Sequence, residues 1–127
     1  MTDLTGLGGI FRCEGSASLT TITFPPSTRA FDDIFLNGCD LNYVDITVMP
    51  NCLDNNNCRY RFQGNSMTAA EVNQMLVDAD TISDGLYTGR TIIADGTNAS
   101  PDGTSGGFDG LTAKANLISK GFTVTTN

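Results

Sequence analysis

The sequence predicts an α+β, β-rich fold: a short, irregular stack of β-coils with two helices in its C-terminal half. Three observations carry this expectation. Leu19-x-x-Ile22-x-Phe24 recurs 22 residues later as Leu41-x-x-Val44-x-Ile46, and such a period marks coils that bury their apolar side chains only against a neighbouring coil. The composition is polar, weakly charged and rich in glycine, with 14 Gly, 17% charged and 39% hydrophobic residues, as suits a β-rich chain with many turns. From Ser66 onward the apolar spacing changes from strand-like to helical.

Each element follows in chain order. Residues 1–18 form an N-terminal arm or capping segment, with Gly-rich residues 6–9 and a short apolar patch at Ile10-Phe11. Residues 19–24 alternate apolar and polar, which predicts a half-buried strand. Pro25-Pro26 ends it, because proline cannot donate to a ladder. Phe31, Ile34 and Leu36 make a second apolar stretch before the turn signal Asn37-Gly38. Leu41, Val44, Ile46 and Val48 predict the next strand, and Tyr60 with Phe62 another. Thr68 with Glu71 is a capping box that opens a helix. Val72, Met75, Leu76 and Ala79 give that helix one buried stripe. Thr91–Ala94 returns to strand, and residues 95–110 form a long polar loop. A second helix runs from Leu111 to Lys120, with Ala115, Leu117 and Ile118 as its packing residues, and Gly121 ends it. Phe122-Thr123-Val124 is the last strand.

At 127 residues, one core and one domain are expected, read here as residues 19–127 behind the N-terminal segment. The net charge of −7 repels a polyanion, so a nucleic-acid partner is not expected. Of the basic residues, Arg59 and Arg61 share one strand face. No apolar run reaches the length of a membrane span, and the start from Met1 lacks a secretory leader. Cys13, Cys39, Cys52 and Cys58 show no C-x-x-C and no accompanying His, which speaks against zinc. Cys52 and Cys58 are spaced to close a small disulfide loop, whereas a cytosolic origin favours free thiols.

Residues 19–46 resemble the leucine-rich repeats of the BspA-like type, found in bacterial and protist surface proteins. The match is Leu19-Thr-Thr-Ile22-Thr-Phe24-Pro25, then Gly38-Cys39, then Leu41-Asn-Tyr-Val44-Asp-Ile46. Phe31-x-x-Ile34-x-Leu36-x-x-Cys39-x-Leu41 fits the general consensus, as does Tyr60-x-Phe62-x-x-Asn65-x-Met67. Through Met67-Thr-Ala-Ala-Glu-Val-Asn-Gln-Met-Leu-Val-Asp78, the Ala-Ser-Pro loop at 99–101, Leu111-Thr-Ala-Lys and the terminal Gly121-Phe-Thr-Val-Thr-Thr-Asn127, residues 65–127 are similar to the C-terminal segment of small leucine-rich-repeat-like proteins encoded by tailed phages and environmental bacteria. The resemblance implies a short leucine-rich-repeat-like solenoid. It brings no active-site residues, and the step of 12 residues from Ile22 to Ile34 implies an irregular stack.

Catalytic chemistry finds little support. Without histidine, no Ser-His or Cys-His nucleophile can be built. Lys114 and Lys120 lie together on the second helix. Asp32-Asp33 would point to opposite faces of a strand, and Asp78 and Asp80 end a helix, so neither resembles a split acid pair. Asp95, Asn98, Asp102 and Asp109 sit in Asp-Gly turns without EF-hand order. Asn98-Ala-Ser100 is a formal glycosylation sequon. The expectation is therefore a non-enzymatic structural or adhesive protein without cofactor or metal. It is expected to be a virion component of a tailed phage, decorating a capsid or associating with a tail or fibre, and assembled in the host cytoplasm. Homo-oligomerisation and protein–protein contacts are expected, with Leu7, Ile10 and Phe11 as the interface and the 95–110 loop facing outward. The alternative is a ligand-binding leucine-rich-repeat module of a bacterial cell surface.

Overall fold

The computed structural model describes residues 9–26 and 31–127. Five short strands form one sheet: Ile10–Arg12 (β1), Asp33–Phe35 (β2), Arg59–Arg61 (β3), Arg90–Ile93 (β4) and Phe122–Thr125 (β5). All neighbours are parallel and the order is the chain order. Parallel neighbours need a crossover, so each strand with its return segment is one coil. The register stacks Phe11, Ile34, Tyr60, Ile92 and Val124 in one row. Coils lengthen from 23 residues (Phe11 to Ile34) and 26 (Ile34 to Tyr60) to 32 (Tyr60 to Ile92, and again Ile92 to Val124). This is the short, irregular β-rich stack that the period predicts, with helices Ala69–Ile82 (α1) and Gly110–Ser119 (α2) in the returns of its C-terminal half.

The strands do not lie where the repeat suggested. Residues 19–24 and 41–46 are irregular return segments, not strands. Their apolar spacing includes a three-residue step, which a strand with a two-residue alternation cannot keep on one face. The recurrence is nonetheless physical: Asp40 N donates to Leu19 O (3.2 Å) and Asn42 N to Thr20 O (3.3 Å), so one return lies on the next. Phe24, Leu41, Val44 and Ile46 are buried there in the common core.

A column of glycines turns the chain after each of β1 to β4, with a polar column inside it. Gly15, Gly38, Gly64 and Gly96 all adopt positive φ, between +70° and +80°. The Cβ of any other residue at Gly96 would lie 3.2 Å from Gly64 N, so the column selects glycine twice over. Inside it, Asn65 Nδ2 donates to Leu36 O and Phe62 O (2.9 and 2.8 Å), and Asn98 Nδ2 to Phe62 O and Ala94 O (2.9 and 3.1 Å). Each amide thereby ties its own coil to the one before. Cys39 does the same more weakly, its Sγ donating to Cys13 O at 3.2 Å.

Helix α1 begins as expected: the Thr68 side chain accepts from Glu71 N while Glu71 reaches back to Thr68 N. Its buried stripe is Val72, Asn73, Met75, Leu76 and Ala79. Helix α2 is rotated relative to expectation. It buries Gly110, Ala113 and Leu117, while Leu111 (54%) and Ile118 (51%) are exposed. Among the described elements α2 packs on α1 and β5. No helix among the described residues is long and apolar enough to cross a membrane.

Candidate functional site: the outward face of the parallel sheet

Alternation along each strand divides the sheet into two faces. Ile34, Tyr60 and Ile92 point into the core and are fully buried. The opposite face carries one row of Ile10, Asp33, Arg59, Thr91 and Thr123, and a second of Arg12, Phe35, Arg61, Ile93 and Thr125. Among the described helices only α2 contacts a strand, β5. Phe35 is nevertheless only 2% exposed, because arginines cover it. The guanidinium carbons of Arg12, Arg61 and Arg59 stand 4.7, 4.7 and 5.1 Å from its ring centre. Cations over an aromatic face are attracted by the ring quadrupole.

The charges on this face are unequally matched. Asp33 is buried and holds Arg59 in a two-point fork, Nε to Oδ1 at 2.7 Å and Nη2 to Oδ2 at 2.6 Å. That fork, and the charge of Asp33, push the Arg59 guanidinium still further above its ordinary pKa. Arg12 meets Glu14 at 3.3 Å in an exposed pair. Arg61 makes no ion pair among the described residues, and its buried Nε has no hydrogen-bond partner. A cluster of one-sided cations on a flat, open surface can grip a partner. It offers no nucleophile with a base beside it.

On the return side, a groove of about 200 Å³ is lined by Thr21, Ile22, Thr23, Phe24, Tyr43, Asp45 and Val48. The Tyr43 hydroxyl donates to Asp78, and it stands 3.3 Å from Asp45 Oδ1. Burial, then the bond to Asp78, push the Tyr43 hydroxyl far above its ordinary pKa. Burial also raises the Asp78 carboxyl, against the lowering effect of the Tyr43 bond. Asp45 is spent on a local turn, accepting from Thr47 N at 2.9 Å and Thr47 Oγ1 at 2.6 Å, and its pKa is lowered accordingly.

Of the residues expected from sequence to form an interface, Ile10 and Phe11 point to opposite faces of the sheet. Leu7 lies outside the described residues. Ile10 is 52% exposed and stands on the outward face beside Asp33. Phe11 turns the other way and packs edge-on against Phe24 at 5.0 Å. Ile10–Arg12 is thus the first strand of the sheet among the described residues. Cys52 and Cys58 are both buried, and all four cysteines are free thiols. Burial raises both thiols, that of Cys58 up to about 11.

The carboxylates are structural. Asp32 takes a hydrogen bond from Asn55, Asp80 binds Lys120 at 2.7 Å, and Asp109 caps α2 by accepting from Thr112 N at 2.9 Å. The 95–110 loop is not simply outward. Asn98 is buried in the coil column, and Asp102 accepts from Ser105 N (2.7 Å), Thr104 N (2.9 Å) and Asn73 Nδ2 (2.8 Å). Those donors hold the Asp102 carboxyl far below the usual range, the Ser105 hydroxyl most of all. No group of three His, Cys, Asp or Glu able to hold a metal ion occurs among the described residues. Sequence reasoning did place Arg59 and Arg61 on one strand face. It missed Phe35 and Arg12, because the strand register across coils of 23 and 26 residues cannot be read from an apparent period of 22. No family model, curated protein or solved structure matches the chain.

Proposed function

We propose that this chain is a non-enzymatic binding module of structural or adhesive type, working through protein–protein contacts made by the outward face of its sheet. The observation that carries the reading is that face itself. Strands β1, β3 and β5 expose side chains of Ile10, Arg12, Arg59, Thr123 and Thr125 on the outward face of the described sheet. Stacked coils characteristically use such extended surfaces for binding. The pattern of Gly, Cys and Asn at the coil corners, with the residues quoted above, supports a leucine-rich-repeat-like relationship of the BspA-like type.

The resemblance of residues 65–127 to small phage-encoded proteins supports a virion component, set on a capsid, tail or fibre and assembled in the host cytoplasm. Self-association fits the outermost strands of the described sheet, β1 and β5, and the exposed Leu111 and Ile118 on α2. Mass spectrometry of particles purified from the virus or prophage encoding the chain tests this reading. The chain should appear at fixed stoichiometry with the capsid, tail or fibre proteins. Its absence from particles, with recovery instead on bacterial envelopes, would favour a cell-surface binding module.

A further inference from the structure

We propose that the arginine-ringed Phe35 is the docking point for an acidic protein segment, an extended stretch that presents carboxylates on alternate residues. This rests on the reading of the outward face as the working surface. Three of the seven Lys and Arg side chains gather around one ring in a chain of net charge −7. Crowding like charges is unfavourable unless something offsets it. Two carboxylates face the three cations, and they do so unequally. Asp33 is saturated by Arg59. Glu14 meets Arg12 through a single Nε contact, with side chains 57% and 31% exposed, and exposed pairs of this kind hold weakly.

Arg61 is left over. It has no ion pair among the described residues, and its guanidinium rests over Phe35. A planar guanidinium fixed on an aromatic ring is ready to take a carboxylate in two-point fashion without first losing rotamer freedom. Glu14 can yield Arg12 to a second incoming carboxylate.

Geometry favours an extended segment. Arg12 and Arg61 flank Phe35 on the two adjoining strands, so their backbones lie roughly 9–10 Å apart at the usual strand spacing. Side chains on one side of an extended chain repeat about every 7 Å, within reach of both guanidinium heads. Ile93, next to Arg61 in this row, and Ile10, in the neighbouring row, add apolar contact that a bare polyphosphate could not use. The net charge opposes any polyanion alike, and the patch carries a surplus of only one positive charge over Glu14 and Asp33, so the contact is local: a few carboxylates placed at Arg61 and Arg12 rather than a continuous phosphate backbone.

Fluorescence anisotropy with a labelled oligoglutamate peptide, at low salt, tests the assignment. The wild-type chain should bind, and binding should weaken as salt is raised. Arg61→Gln should lose about tenfold in affinity, the scale of one charged hydrogen-bonded contact. Arg12→Gln should also lose affinity, and Lys114→Gln, on α2, should not. Circular dichroism melts of the variants separate lost binding from lost fold. Absence of binding, or equal binding by folded Arg61→Gln, overturns the proposal. So does tighter binding of single-stranded DNA than of oligoglutamate, or equally effective competition by inorganic phosphate. Failure here is distinct from failure of the function above: a chain present in particles, into which Arg61→Gln is incorporated normally, removes only the acidic partner.

Discussion

Arg90 shows how single residues hold this stack. Its side chain is fully buried, yet no carboxylate pairs with it among the described residues. Nη1 donates to Leu53 O at 3.3 Å, and Nη2 to Lys120 O at 2.9 Å and to Asp84 O. The guanidinium also stands 4.0 Å from the Phe122 ring centre. Carbonyl dipoles from three successive returns thus take the place of a counter-ion. Arg90→Met keeps the apolar stem but orphans those carbonyls, and should cost about 2–4 kcal/mol, read as a lower urea midpoint at unchanged slope. Arg90→Lys should recover only part of the loss, because an ammonium lacks the fork. Asp78 acts in the opposite sense. Its folded pKa is raised by burial, so its contribution is favourable below the unfolded carboxylate pKa and is lost as pH rises through the folded value. Asp78→Asn keeps an acceptor for Tyr43 and should stabilise the protein at neutral pH. That gain should shrink on acidification, measured by urea titrations across pH. The cysteines give a third expectation: Cys52 and Cys58, buried with raised thiol pKa values, should resist alkylation in the native state, while half-exposed Cys13 reacts. An intact mass short by two hydrogens would instead reveal a Cys52–Cys58 bridge. At this scale the sequence was only partly legible. Arg59 and Arg61 announce a shared face by their spacing, but a buried arginine in Gly-Arg-Thr gives no local sign of its three distant acceptors.

Among the elements, the two helices and β3 to β5 were legible, whereas the early strands were not: residues 19–24 and 41–46 read as strands and are returns, for a physical reason. A helix satisfies its backbone locally, so its signals are local. Thr68 and Glu71 mark the start of α1, and Val72, Met75, Leu76 and Ala79 mark its buried side. Thr68→Ala removes the cap acceptor of Glu71 N and should cost about 1 kcal/mol, seen as a lower melting temperature with an unchanged fold. Strands of three or four residues satisfy their backbones on other coils. Three residues are too few to show a period, and here the stronger apolar pattern sits in the returns. The face of α2 was misjudged for a related reason. Ala113 and Leu117 turn inward against α1 and the last strand, whereas Ala115 and Ile118 turn outward. A short helix with apolar residues on both sides does not say which side its neighbour will take. Asn73 was also illegible: fully buried, it binds Asp102, Ser105 O and Phe108 O and pins the 95–110 loop onto α1. Nothing in a helical Asn foretells contacts about thirty residues away.

The whole molecule behaves as a one-dimensional array, in which each coil touches mainly its neighbours and stability is a sum of coil and interface terms. Those terms are unequal along the stack. The first coils are short, carry no helix and meet through β1 and β2 and irregular returns. The later coils add α1 and α2, which pack on each other, and the Asn65 and Asn98 amides bridge their corners. Local opening should therefore begin at the N-terminal end. In native-state hydrogen exchange, the Cys13 and Gly15 amides, which donate to Phe35 O and Asn37 O, should exchange first. Phe62 and Ala94, which donate to Ile93 O and Thr125 O, should exchange last. Gly96→Ala puts a side chain at φ +80° and 3.2 Å from Gly64 N, and should cost about 1–3 kcal/mol. Because the column couples adjacent coils, that substitution should lower protection at Phe62 and Ala94 while leaving the already weak Cys13 and Gly15 nearly unchanged. A uniform loss of protection across all coils would mean that the chain opens as one cooperative unit, and the array description would then fail.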